Sequence, residues 1–68
     1  MIDMDKLEFL KRAERYAEAR GDEYYFKHWY TKYREYYNVS DSVWCALTWL
    51  YDEETAKLLK YQYYGPSL

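Results

Sequence analysis

The sequence predicts an all-α domain, a compact three-helix bundle, and three observations lead there. Apolar residues recur at spacings of three and four along most of the chain, which is the period of a helix and not of a strand. Only 2 Gly and 1 Pro punctuate the 68 residues, too few for the tight turns of a sandwich or barrel. The length allows one domain, close to the lower limit at which a single apolar core folds unaided. Helices are expected over about 5–20, 23–37 and 41–63.

Helix one has a readable start. Asp5 can cap the free N–H groups, Glu8 is placed to complete a capping box, and Met4 and Phe9 take the staple positions. Phe9, Leu10, Ala13, Tyr16 and Ala17 form an apolar stripe with Leu7 beside it, while Lys11, Arg12, Glu14, Arg15 and Glu18 face away. Glu8 and Arg12 are spaced to pair along the surface. Arg20 followed by Gly21 reads as a helix end, with Gly free to turn left-handed. Asp22 is already a cap for the next helix, so helices one and two must fold back on each other, with Ala13 and Ala17 giving room for approach.

Helix two is a wall of rings. Phe26, Trp29, Tyr30, Tyr33, Tyr36 and Tyr37 recur at helical spacing, and Lys27, His28, Thr31, Lys32, Arg34 and Glu35 fall on the other side. Aromatics make up 24% of the residues and Tyr alone occurs 11 times, so rings must supply most of the buried area. Each Tyr hydroxyl needs water or an acceptor, which favours core edges and interfaces over a dry centre.

Asn38 reads as a left-handed terminator and Ser40 as the cap of helix three, with Val39 and Trp44 as its staple. That helix carries two apolar seams. At about 100° per residue, Val43, Trp44, Leu47, Leu50, Tyr51, Leu58 and Tyr61 share one side, interrupted by Glu54. Cys45, Trp49, Ala56, Leu59 and Tyr63 cluster nearly opposite. Because the first seam keeps its phase across Asp52-Glu53-Glu54, an unbroken helix is the favoured reading; a break there, with Asp52 capping a fourth helix, is its competitor. Gly65-Pro66 ends the helix in either case.

Charge and composition bound the function. The net charge is −2, and residues 1–21 and 22–38 are each balanced, so the acidic excess belongs to Asp41, Asp52, Glu53 and Glu54 against Lys57 and Lys60. That argues against a general polyanion binder. The single Cys45 cannot form an intrachain disulfide, and Cys45 and His28 alone cannot build a multi-ligand metal site. No signal segment or membrane-length run is present, so a cytoplasmic location without membrane contact is expected. Glu54 has no second acid, base or nucleophile nearby, and Gly-rich phosphate loops are absent. No enzyme activity, cofactor or metal is expected.

Residues Tyr37 to Leu50, with Asn38-Val39-Ser40 followed by Val43, Ala46-Leu47 and Leu50, resemble the turn and second helix of bacterial helix-turn-helix regulators. The resemblance implies helix-turn-helix-like packing of helices two and three. The positions that would read bases are Asp41, Ser42, Cys45, Thr48 and Trp49, none of them a cation. An alternative nucleic-acid face is Lys27, His28, Lys32 and Arg34 on helix two, where cations alternate with Tyr24 and Tyr25. The expectation ranked first is a non-catalytic module that binds another protein, or itself as a homodimer, through exposed rings. Its candidate residues are Cys45, Trp49, Asp52, Glu53, Leu59 and Tyr63. In length, charge and lack of catalytic groups the chain also resembles small acidic phage and mobile-element inhibitors, including anti-CRISPR proteins.

Overall fold

The computed structural model describes residues 6–62, and within them the chain is all-helical. The elements are α1 (Lys6–Ala19), α2 (Glu23–Arg34), α3 (Val39–Leu50), α4 (Glu53–Lys57) and a π-helical turn (Leu58–Gln62). The predicted Asp5 cap, the Met4 staple position, Tyr63 and the Gly65-Pro66 stop lie outside the described residues.

α1 buries the predicted stripe: Phe9, Ala13 and Ala17 are sealed, with Leu10 and Tyr16 packed at its edge. The pairing of Glu8 with Arg12 forms, with Oε2 to Nε at 3.5 Å. The helix ends in a Schellman motif. Gly21 sits at φ +79, its N–H donates to the Glu18 carbonyl at 3.1 Å, and the Asp22 N–H donates to the Ala17 carbonyl at 2.8 Å. Any side chain at 21 would strain this left-handed backbone.

Asp22 ends one helix and begins the next, which reverses the chain in the fewest residues. It occupies the N-cap of α2 without a side-chain cap bond. Its carboxylate is committed elsewhere: the Tyr51 hydroxyl donates to Asp22 Oδ2 at 2.8 Å. Tyr16 meets the Tyr51 ring edge-on at 5.1 Å, and the Arg20 guanidinium covers both rings at 5.3 and 5.5 Å. The α1–α2 turn is thereby tied to the end of α3.

The start of α3 differs from the expectation. Asn38 is not left-handed; it is the N-cap in extended conformation, and its Oδ1 accepts from the Asp41 N–H at 2.8 Å. Ser40, expected as the cap, lies inside the helix. Asn is as good a cap as Ser, and its capping here moves the helix start forward. The α2–α3 turn is closed by Arg34 Nη1 donating to the Tyr37 carbonyl at 2.8 Å and by the buried Ser42 hydroxyl, which donates to the same carbonyl at 3.4 Å.

Helix three is broken, contrary to the reading from phase. Leu50 ends α3, Tyr51 (φ −123, ψ −104) and Asp52 (φ −159, ψ 176) are non-helical, and Asp52 Oδ1 caps α4 by accepting from the Thr55 N–H at 2.8 Å. Hydrogen bonding from the Thr55 side chain, and then from its backbone N–H, holds the Asp52 carboxyl below its usual range. Glu53 and Glu54 then occupy the first turn of α4, where acids favour a helix start. The break turns the following segment through about half a revolution. Val43, Ala46 and Leu47 of α3 are buried, but beyond the break it is Ala56 and Leu59 that turn inward, while Leu58 and Tyr61 of the first seam face out.

The core is therefore Phe9, Ala13, Ala17, Phe26, Val43, Ala46, Leu47, Ala56 and Leu59, with α2 and α3 the most extensively packed pair. Arg12 Nη1 donates to the Leu59 carbonyl at 3.0 Å and pins the π-helical turn to α1. Lys60 closes the end of this packing, its Nζ 5.2–5.7 Å from the rings of Tyr61, Phe9 and Trp44.

The Tyr51 contact gives a pH-dependent expectation. Burial, the hydrogen bond to Asp22 and the charge of Asp22 push the Tyr51 hydroxyl well above the ordinary tyrosine range, against the opposing effect of Arg20. A raised folded value means the stabilisation is complete below about pH 10 and is lost as pH rises above it. Tyr51→Phe is expected to cost about 1 kcal/mol at neutral pH. In urea titrations the gap between wild type and variant should shrink above pH 10.

Candidate aromatic interface

The residues that could meet a partner lie along the seam between α2 and α3. On α3 the column Ser42, Ala46 and Trp49 (i, i+4, i+7) faces α2. Its first two members are small and fully buried. Its last member is large and emerges: Trp49 is 56% exposed. From α2, Trp29 comes up beside it, and the two indoles stack with centroids 4.3 Å apart and planes 28° apart.

The rings continue in both directions along α2. His28 meets Trp29 edge-on at 5.1 Å, Trp29 contacts Tyr33 at 6.2 Å, and Tyr33 contacts Tyr37 at 6.1 Å. Tyr37 is 48% exposed. The result is a continuous aromatic ridge whose rings hold one another in place, with Trp49 and Tyr37 presenting the most open area. Rings fixed in this way lose little side-chain freedom on contact with a partner.

Cys45 lies one turn before Trp49, half-buried. Burial, and then the Asp41 carboxylate, push its thiol above the ordinary range, so it is not an activated nucleophile. Thr48 Oγ1 donates to the Cys45 carbonyl at 3.0 Å, which leaves that hydroxyl engaged with its own helix. Asp52 and Glu53 are exposed beyond Trp49, Asp52 doubling as the α4 cap.

Leu59 does not belong to this surface. It is 3% exposed, because the break at residues 51 and 52 rotates it into the core against α1. The predicted second seam is thus split: its upper half, Cys45 and Trp49, borders the open ridge, and its lower half, Ala56 and Leu59, is core. Trp29 and Tyr33, read from the sequence as part of the ring wall, do pack against the core and also form part of the ridge, while Tyr37 of the same wall is exposed. The signal for this arrangement was the Ser42-Ala46-Trp49 column.

The three cations and the imidazole of the alternative face do not converge. Lys27 pairs with Glu23 of its own helix at 3.6 Å and lines a charged groove with Lys11, Glu14, Arg15 and Glu18 of α1. Arg34 is engaged by the Tyr37 carbonyl. His28 and Lys32 remain, exposed on the α2 flank of the ridge. A phosphate backbone needs clustered cations, and these are divided between separate faces and mixed with acids.

Among the described residues no group of three or more His, Cys, Asp or Glu is placed to hold a metal ion, and no helix is long and apolar enough to cross a membrane. No family model matches the chain, and neither a curated protein nor a solved structure matches it.

Proposed function

We propose that this chain is a non-catalytic protein-binding module whose contact surface is the α2–α3 ridge centred on Trp29 and Trp49. One observation carries the reading: Trp49 is 56% exposed yet held rigidly by stacking on Trp29. A large apolar side chain left open on a small domain, already ordered and flanked by further rings, has the character of an interface anchor. Cys45 and Tyr37 extend the apolar centre, and Asp41, Asp52, Glu53, His28 and Lys32 supply a charged rim. In use, such a module occupies the surface of another macromolecule, which is also how small phage inhibitors of the anti-CRISPR type act.

The test is affinity capture from the native host with wild type, Trp49→Ala and Leu58→Ala as baits. Leu58 is 45% exposed on α4's side of the molecule and serves as the matched control. A protein captured by wild type and Leu58→Ala, and lost with Trp49→Ala, supports the ridge. Equal capture by all three baits would remove it.

A further inference from the structure

The break between α3 and α4 is made without a helix breaker. Residues 39–62 contain neither Gly nor Pro, and beyond the break Glu53, Glu54, Ala56, Lys57, Leu58 and Leu59 are all good helix formers. The apolar phase also runs through it, since Val43, Leu47, Leu50, Leu58 and Tyr61 would share one side of an unbroken rod. What bends the chain is local to two residues. Asp52 Oδ1 accepts from the Thr55 N–H at 2.8 Å, and the Tyr51 hydroxyl donates to Asp22 Oδ2 at 2.8 Å. Beyond them, α4 and the π-helical turn are held through the buried Ala56 and Leu59, the Lys60 contacts with Phe9 and Trp44, and the Arg12 bond to the Leu59 carbonyl. None of these last contacts requires both sides to belong to one chain.

We infer that the break is a hinge, and that residues 53–62 exchange between two copies of the chain. In the exchanged pair α3 and α4 join into one continuous helix, and Ala56 and Leu59 of each copy take the same place against α1 of the other. No new complementary surface is needed, because the site that receives the segment is the one that receives it in the single chain. Exchange of an identical element is for that reason a low-cost route to a dimer. The balance lies at the hinge. The single chain keeps the Asp52 cap and the Tyr51 bond to Asp22, while the exchanged pair gives these up and carries helical hydrogen bonds through residues 51–55. Rising chain concentration moves the equilibrium toward the pair. The inference concerns α1 and α4, so it and the ridge reading can fail separately.

The test is to refold the full chain from urea at about millimolar concentration and to measure its mass by size-exclusion chromatography with light scattering. Wild type is expected to yield a dimer. Two substitutions then act at the hinge in opposite directions. Asp52→Ala removes the cap and supplies the best helix former, so it should raise the association constant by about tenfold or more. Glu53→Pro suits the bent chain, because Glu53 is the first residue of α4, is exposed and follows an extended residue. In a continuous helix the same proline would lose a backbone bond and clash with the preceding turn, so this variant should stay monomeric. In dimers of isotope-labelled and unlabelled chains, the Leu59 methyls should show nuclear Overhauser contacts to α1 of the other chain. A wild type or a folded Asp52→Ala chain that remains monomeric overturns the hinge, and so does a Glu53→Pro chain that dimerises like wild type. A dimer in which Leu59 contacts only its own α1 overturns the exchange.

Discussion

Phe26→Ala is expected to unfold the protein. Phe26 is the one fully buried side chain of α2, at 0% exposure, and Tyr30 stacks on it at 5.9 Å. The rest of α2 meets the core through half-exposed rings, so this side chain is the helix's main anchor. Truncating a buried Phe costs about 3–5 kcal/mol, while a domain of this length has about 3–10 kcal/mol in total. Thermal melts followed at 222 nm (far-ultraviolet circular dichroism) should show a midpoint lowered by more than about 10 °C, or no cooperative transition at all. A melt superimposable on wild type would show that α2 is held by its outer rings instead.

Leu59→Ala should follow closely, at about 2–5 kcal/mol. Leu59 is 3% exposed and, with Ala56, is what the short α4 and the π-helical turn contribute to the core. The Arg12 bond to its carbonyl survives the substitution, since the acceptor is backbone. It cannot replace the lost side-chain packing. Trp49→Ala offers the contrast, because it forfeits only half a buried indole and one stacking contact, about 2 kcal/mol. Urea midpoints should therefore rank wild type, then Trp49→Ala, then Leu59→Ala. Reversal of the last two would mean that Trp49 is core and Leu59 is surface.

Much of the fold was legible because short-range signals agreed. Phe9, Ala13 and Ala17 announced the buried stripe of α1, Arg20-Gly21 its end, and the brief connection at Asp22 the reversal into α2. Two signals conflicted at the end of α3. The periodicity of Val43, Leu47, Leu50, Leu58 and Tyr61 argued for continuity, while Asp52-Glu53-Glu54 had the composition of a helix start. The cap prevailed, because interrupting the helix turns Ala56 and Leu59 against α1, where an unbroken rod would carry them away. Periodicity reports phase within a helix and says nothing of a rotation between two.

The site was half legible for a related reason. Cys45, Trp49, Asp52 and Glu53 were marked by the second seam of helix three, and His28 and Lys32 by the polar side of helix two. Their meeting across one row of rings depends on how closely α2 and α3 approach. Ser42 and Ala46, two small buried residues, fall in one column with Trp49, and that column is visible only when helix three is read together with its neighbour. Arg34 and Lys27 share the sequence pattern of Lys32 but answer to local partners, the Tyr37 carbonyl in the following turn and the Glu23 carboxylate one turn back.

The most direct measurement of where this molecule makes contact is hydroxyl-radical footprinting of the chain, free and bound to its captured partner, read by mass spectrometry residue by residue. Trp49 and Tyr37 are expected to lose reactivity on assembly while Leu58 and Tyr61, exposed on the opposite side of the helix break, keep theirs. Protection of Leu58 and Tyr61 with Trp49 still fully reactive would contradict the assignment of the α2–α3 ridge as the contact surface.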